Sequence, residues 1–223
     1  MTKHLLRDLE ELKKRLREVE SMVEEATNKA ITALTERKPD MAVEVIEYDD
    51  EIDTKEVQTE EECLKILALH QPVAADLRFV IGAMKVNNDL ERMGDLAVNI
   101  AERVCYLAEY PPLGVPLGFR RMADVVRNMV RTSLDAHVDM DADLARTVGQ
   151  MDDEVDDIHR EMYSVLQGRM HEDPAVIERA VHYLTASRDL ERIADLATNI
   201  AEDVVFMVEG EVIRHRGGEQ QAS

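Results

Sequence analysis

The chain has 223 residues, 45% of them hydrophobic, and a net charge of −20, which suits one large domain or two small ones. So acidic a surface repels nucleic acid, and a phosphate-binding module would ordinarily be basic, so nucleic acid is not an expected partner. A cation or a basic protein surface suits the charge better. Aromatic residues are 4% and Trp is absent, while Ala, Leu, Glu, Arg and Met abound, a mixture suited to long helices. Cys63 and Cys105 form no C-x-x-C pair and read as buried free thiols of a reducing compartment. No signal peptide opens the chain and no eighteen-residue apolar run occurs, so a cytoplasmic location is expected.

The first helix is written as a seam. Leu5, Leu9, Leu12, Leu16, Val19, Val23, Ala26, Ala30 and Ala33 follow one another in steps of four and three, amid Glu, Lys and Arg. A stripe this narrow needs partner helices, and a bundle follows. Lys38-Pro39-Asp40 ends it, with Pro39 suited to the first turn of a second helix that reaches about residue 69. His70-Gln71-Pro72 marks the next break, and a third helix is predicted from about Val73 to Glu109. Gly82 and Gly94 lie inside it, where close helix approach would justify them. Three prolines and two glycines between Pro111 and Gly118 form a linker. The order then repeats: a helix from about Phe119 to Val138, a second from Asp139 or Asp141 to about Met170, a break at Pro174, and a last helix from about Ala175 to Val212. The expected architecture is all-α, two tandem, pseudo-symmetric three-helix bundles. They occupy residues 1–110 and 119–213, joined by a linker at 111–118 and followed by a frayed tail at 214–223.

The repeat is explicit. Residues 89–104 read DLERMGDLAVNIAERV and residues 189–204 read DLERIADLATNIAEDV, identical at twelve of sixteen positions. Each copy carries an acidic ladder: Glu91, Asp95, Asn99 and Glu102, then Glu191, Asp195, Asn199 and Glu202. These lie within about 80° of one helix face and flank the core stripe, on a bundle surface open to water. Ion pairing is the plain explanation, with Arg92 in reach of Asp95 and Arg188 in reach of Glu191. A second acidic element changes the weighting. Asp49-Asp50-Glu51-Ile52-Asp53 precedes the first ladder by one helix, and Asp152-Asp153-Glu154-Val155-Asp156 precedes the second. If those helices are antiparallel neighbours, acid faces acid, which forms no ion pair but does form an oxygen-rich site for hard or borderline cations.

Gln71-Pro72-Val73-Ala74-Ala75-Asp76-Leu77-Arg78, the DLERMGD stretch and the repeated D-D-x-[IV]-D elements closely resemble the PhoU family over nearly the whole chain. The resemblance implies two similar three-helix bundles with one multinuclear metal site each. It implies Asp49, Asp53, Glu91 and Asp95 as ligands in the first site and Asp152, Asp156, Glu191 and Asp195 in the second, with Asn99 and Asn199, one turn on, as additional ligands. Iron, zinc, nickel, manganese and magnesium are the candidate ions. It further implies a negative regulator of phosphate uptake and phosphate-starvation signalling, whose partners are a phosphate-transporter ATPase and a sensor histidine kinase. A homodimer and peripheral membrane association belong to the same expectation. One departure stands out: the Gln-Pro element has no clean second copy, since residues 173–180 read DPAVIERA.

Other candidates weigh less. Asp156-x-x-His159 has di-iron spacing but occurs once, its first-half counterpart ending in Glu56, so a surface histidine is the plainer reading. His70 reads as a cap at a helix break, and Arg78 as either an anion binder or, the favoured reading, the partner of a nearby acid. No nucleophile–base arrangement, G-x-S-x-G or Gly-rich phosphate loop occurs, so an enzyme is not expected. A carboxylate-bridged metal enzyme and a purely structural scaffold are the alternatives.

Overall fold

Every seam residue of α1 (Lys3–Glu36), from Leu5 to Ala33, is buried in the computed structural model, which describes residues 3–211. Two helices cover that seam: α2 (Pro39–His70) and α3 (Ala74–Ala108). The turn between α1 and α2 places Arg37 at φ 55, and Pro39 opens α2 where its missing N–H costs no hydrogen bond. Gln71, left-handed at φ 46, ends α2 by donating its N–H to Leu67 O.

The second half repeats the plan with α4 (Phe119–Asp139), α6 (Asp152–Glu172) and α7 (Ile177–Glu209), so the chain is two tandem, pseudo-symmetric three-helix bundles. One expectation is corrected. The second helix of this half is not continuous from residue 139 or 141. A short helix, α5 (Ala142–Val148), comes first, with Asp141 accepting from the N–H groups of Asp143 and Leu144. Gln150 and Met151 then donate three residues back, to Thr147 O and Val148 O, a tightened turn that breaks the ladder at Gly149. Three acids, Asp152, Asp153 and Glu154, fill the first turn of α6, where the helix dipole favours them. At the other end, α6 gives way to a 3₁₀ turn at Pro174–Val176, and α7 starts at Ile177. The end expected at Val212 and the tail at 214–223 lie outside the described residues.

The two halves share one continuous hydrophobic core, joined where α3 packs against α7. These helices run antiparallel. Gly82 faces Met207, Lys85 pairs with Asp203 at 3.0 Å, and Asp95 and Asp195 line one groove, so the pseudo-two-fold passes near the last two. Gly82 is where close approach is real: a Cβ there would stand 2.3 Å from Met207 Cγ. At Gly94 a Cβ would meet Ile52 at 3.6 Å, ordinary contact, in keeping with Ala194 at the equivalent position. Arg37 clamps the same seam, donating to Tyr183 Oη at 2.7 Å and to the carbonyls of Leu107 and Tyr110 at 2.6 Å. Between α1 and α4, Glu20 and His137 form a buried contact that ties the halves a second time.

Candidate metal centres

In each half the two acidic elements face each other as rungs between antiparallel helices. On α2 the series runs Asp49, Asp53, Glu56; on α3 it runs Asp95, Glu91, Asn87. Asp49 Oδ1 lies 3.9 Å from the point where a Cβ on Gly94 would stand, beside Asp95. Asp53 is close enough to Glu91 for its charge to act on it. The last rung is a hydrogen-bonded pair, Asn87 Nδ2 donating to Glu56 Oε1 at 2.7 Å and to the Glu56 carbonyl at 3.1 Å. The second half repeats the geometry on α6 and α7. Asp152 interacts with Asp195 and Asp156 with Glu191, while His159 Nδ1 is hydrogen-bonded to Ser187 Oγ.

The electrostatics follow from that facing. Burial, then the charges of Asp53, Asp95 and Asp50, push Asp49 up to about 6. Burial, then Asp195, Asp156 and Asp153, do the same to Asp152, also to about 6. Glu91 and Asp95 are raised by burial first and then by their carboxylate neighbours, and so are Glu191 and Asp195. The sites sit at the surface but not fully in water. Asp49, Glu91, Asp152 and Glu191 are half-buried, whereas Asp95 and Asp195 are exposed.

Ion pairing does not explain the ladders. Among the described residues none of Asp49, Asp53, Glu91, Asp95, Asp152, Asp156, Glu191 or Asp195 forms a salt bridge, although many other surface acids do. Arg92 reaches back to Asp89 at 3.5 Å rather than forward to Asp95, and Arg188 forms no ion pair with Glu191. The donor set therefore suits a cation: four carboxylates per site, mutually repelling, partly desolvated and without a basic partner in contact. Among the described residues no group of three or more His, Cys, Asp or Glu side chains converges closely enough to hold a metal in the present rotamers. Coordination would need the acids to turn toward one another.

Asn99 and Asn199 stand apart from the rungs. With Arg92, Asp95, Arg192 and Asp195 they line a groove of about 260 Å³ between α3 and α7. Three lesser expectations are corrected. His159 is not a plain surface histidine; it is half-buried and cross-links α6 to α7. His70 is bonded to Asp8 Oδ2 at 2.9 Å, tying α2 to α1, while Gln71 does the capping. Arg78 forms no ion pair among the described residues, and its buried Nε has no hydrogen-bond partner there. The thiols are free as expected; Cys63 is buried, and burial pushes it up to about 12, so it is inert, whereas Cys105, expected to be buried, is only half-buried. Of the third rung the sequence reading weighed only His159 and its counterpart Glu56, and set both aside; Asn87 and Ser187 are unremarkable until helix register aligns them. The one available signal was Glu56 and His159 at the same position of the two acidic elements.

Fold and site together define a class: an all-helical tandem scaffold with one carboxylate-lined helix pair in each half. A family model described as the PhoU domain matches twice, over residues 16–104 and 119–204. The chain belongs to the PhoU family. It is 42% identical over 212 residues to a "Phosphate-specific transport system accessory protein PhoU homolog" of Aquifex aeolicus, covering 95% of this chain and 96% of the relative. A homologue of the same description from Pseudomonas aeruginosa is 40% identical, with 94% and 87% covered. Among solved structures, the crystal structure of PhoU from Pseudomonas aeruginosa superposes with a TM-score of 0.88 at 39% identity, covering 92% of this chain and 99% of that one. The phosphate transport system regulatory protein PhoU from Streptococcus pneumoniae gives 0.81 at 29% identity, with 94% and 99% covered.

Proposed function

We propose that this chain regulates phosphate transport as an adaptor, restraining phosphate uptake and phosphate-starvation signalling when phosphate is plentiful. The observation that carries this is its likeness, over nearly its whole length, to relatives described as accessory proteins of phosphate-specific transport. In this reading it works in the cytoplasm, as a homodimer, through the ATPase of a phosphate transporter and a sensor histidine kinase, with peripheral contact to the membrane that holds them. No described helix is long and apolar enough to cross a membrane, which suits a protein that docks on membrane partners. The relatives' descriptions are those of accessory and regulatory proteins, which supports a non-catalytic role.

The two acidic sites are proposed to bind metal. Asp49, Asp53, Glu91 and Asp95 would hold the first ion or cluster, and Asp152, Asp156, Glu191 and Asp195 the second, with Asn99 and Asn199 as additional oxygen donors from the central groove. Bound metal supplies positive charge between facing carboxylates, and the chain's own contribution is to hold those carboxylates on rigid helices. Relief of that repulsion would stiffen α2 against α3 and α6 against α7.

Complementation tests the regulatory role. In a bacterium lacking its own PhoU, expression of this chain should restore repression of a phosphate-starvation reporter in high phosphate, and the chain should co-purify with the transporter ATPase. Reporter activity that stays high despite stable expression would sink the reading. Elemental analysis of the wild type beside a variant with all eight carboxylates changed to amides tests the metal sites. Equal metal content in the two would reject them.

A further inference from the structure

We infer that the hollow where the two halves join is a binding site for a small phosphate monoester with an aromatic body, a nucleoside monophosphate being the class that fits. The inference is independent of the acidic sites and of the adaptor role.

In a chain of net charge −20, a place walled by arginines and by no acid runs against composition. A hollow of about 440 Å³ opens between the end of α1, the linker and the start of α4, and Arg37, Arg120 and Arg121 line it with no Asp or Glu in its walls. Arg37 comes from the α1–α2 turn and the other two from the first turn of α4, so the fold assembles the cluster from both halves. Glu36 is close enough for the charge of Arg120 to act on it but is paired with Lys38, and Arg120 forms no ion pair among the described residues. Arg121 is paired with Glu154 at 2.9 Å, an exposed contact that an anion can displace at little cost. Arg37 spends three of its five N–H donors on Tyr183 Oη and on the carbonyls of Leu107 and Tyr110, and keeps two.

Tyr183 points to a ligand on its own account. It lines the hollow, is only 8% exposed, and accepts from Arg37 at 2.7 Å, while its own hydroxyl proton reaches no acceptor among the described residues. A buried donor left unspent costs free energy unless a ligand oxygen takes it. The start of α4 adds backbone donors. A Cβ on Gly118 would stand 2.9 Å from Ile158 Cγ2, so no capping side chain fits there, and the first α4 N–H to meet a backbone acceptor is that of Met122, bonded to Gly118 O at 3.0 Å. The rest of the wall is apolar: Leu34, Leu117 and the tilted pair of Phe119 and Tyr183, ring centroids 5.8 Å apart. Inorganic phosphate would engage the arginines and leave that wall idle. The volume falls within the about 300–1,000 Å³ of small-molecule sites, room for a body as well as a phosphate. An arginine such as Arg120 serves both parts, since guanidinium pairs with phosphate and stacks on aromatic rings.

The full chain, kept in a chelator so that no metal takes part, is titrated calorimetrically with adenosine 5′-monophosphate, adenosine and inorganic phosphate. The monophosphate should bind and raise the melting temperature, because it ties the α1–α2 turn to the start of α4. Adenosine and inorganic phosphate should each bind about tenfold more weakly or less, having lost one half of the contacts. Arg120→Glu puts an acid where the helix dipole favours one, so the melting temperature without ligand should hold or rise, while affinity for the monophosphate falls by about tenfold to a hundredfold. Leu117→Ser should weaken the monophosphate and leave inorganic phosphate as it was. A wild type that neither binds the monophosphate nor melts higher with it overturns the inference. So does equal affinity in wild type and Arg120→Glu, which puts the ligand elsewhere. Inorganic phosphate binding as tightly as the monophosphate removes the apolar wall from the site and overturns the assigned class. Capture by phosphatidylcholine vesicles carrying phosphatidate, lost in Arg120→Glu and not reversed by the monophosphate, gives the phosphate group to a lipid headgroup and overturns it too. None of these outcomes touches the acidic sites or the adaptor role.

Discussion

The first acidic site is built in mid-helix and the second at a helix start. Asp49 lies well inside α2, while Asp152 opens α6 after a break that the first half lacks. Burial first, and repulsion after it, nevertheless bring both carboxyls to about 6, so desolvation and facing charge together outweigh local helix context at these positions. The inner rungs duplicate chemistry, whereas the outer rungs and the connections diverge. The pseudo-symmetry is thus kept where carboxylates face one another and relaxed one turn away.

Substitution at the outer rung has the largest expected effect. Asn87 is buried and makes two hydrogen bonds to Glu56, so Asn87→Ala should cost about 2–3 kcal/mol in urea unfolding. Ser187→Ala removes one bond and little volume, and should cost about 1 kcal/mol. Equal losses would show the two outer rungs to be energetically alike and blunt the contrast between the halves.

Gly82 comes next. An added methyl displaces Met207 from the α3–α7 seam, and Gly82→Ala should cost about 1–2 kcal/mol. The second half has His182 at this position, stacked on Tyr106 with ring centroids 3.8 Å apart, so the halves solve the same crossing differently.

Acidity acts on both sites together. The raised carboxyls of Asp49 and Asp152 hold protons in the folded chain where the unfolded chain, at the ordinary 3.8, has released them. Their contribution to stability is therefore fullest below that value and is lost as pH rises through about 6. In a chelator, melts should show this contribution falling by on the order of 1–2 kcal/mol, after solvent screening, between pH 4 and pH 7. Asp49→Asn with Asp152→Asn should flatten the slope, and an unchanged slope would mean that burial and the facing acids do not raise these two carboxyls.

Gly94→Ala has the smallest effect and the opposite sign. It copies Ala194, has room for its methyl, and should stabilise by about 0.5 kcal/mol in thermal melts. Destabilisation would mean that Asp49 needs the space.

Much of this was legible along the chain because helix periodicity is local. The α1 seam, the Pro39 and Pro72 breaks and the duplicated ladders all follow from spacing, and the eight inner-rung carboxylates stand out as acid repeated at i,i+4. Ion-pair partners were not legible: Arg92 had two acids within reach and took Asp89, since a long side chain's choice depends on its whole surroundings. The interruption at Gly149 was also missed, because one glycine in a helical pattern does not say whether the helix stops.

Sequence alone determined that the chain is helical, duplicated and acidic in four matched elements, because these are properties of neighbours along a helix. Tertiary structure decided which acids face which, that Asn99 and Asn199 turn to the groove between the halves, and that His159 and Glu56 occupy one rung. Those relations depend on the register of one helix against another, which is set by packing across the core and is written in no single stretch of the chain.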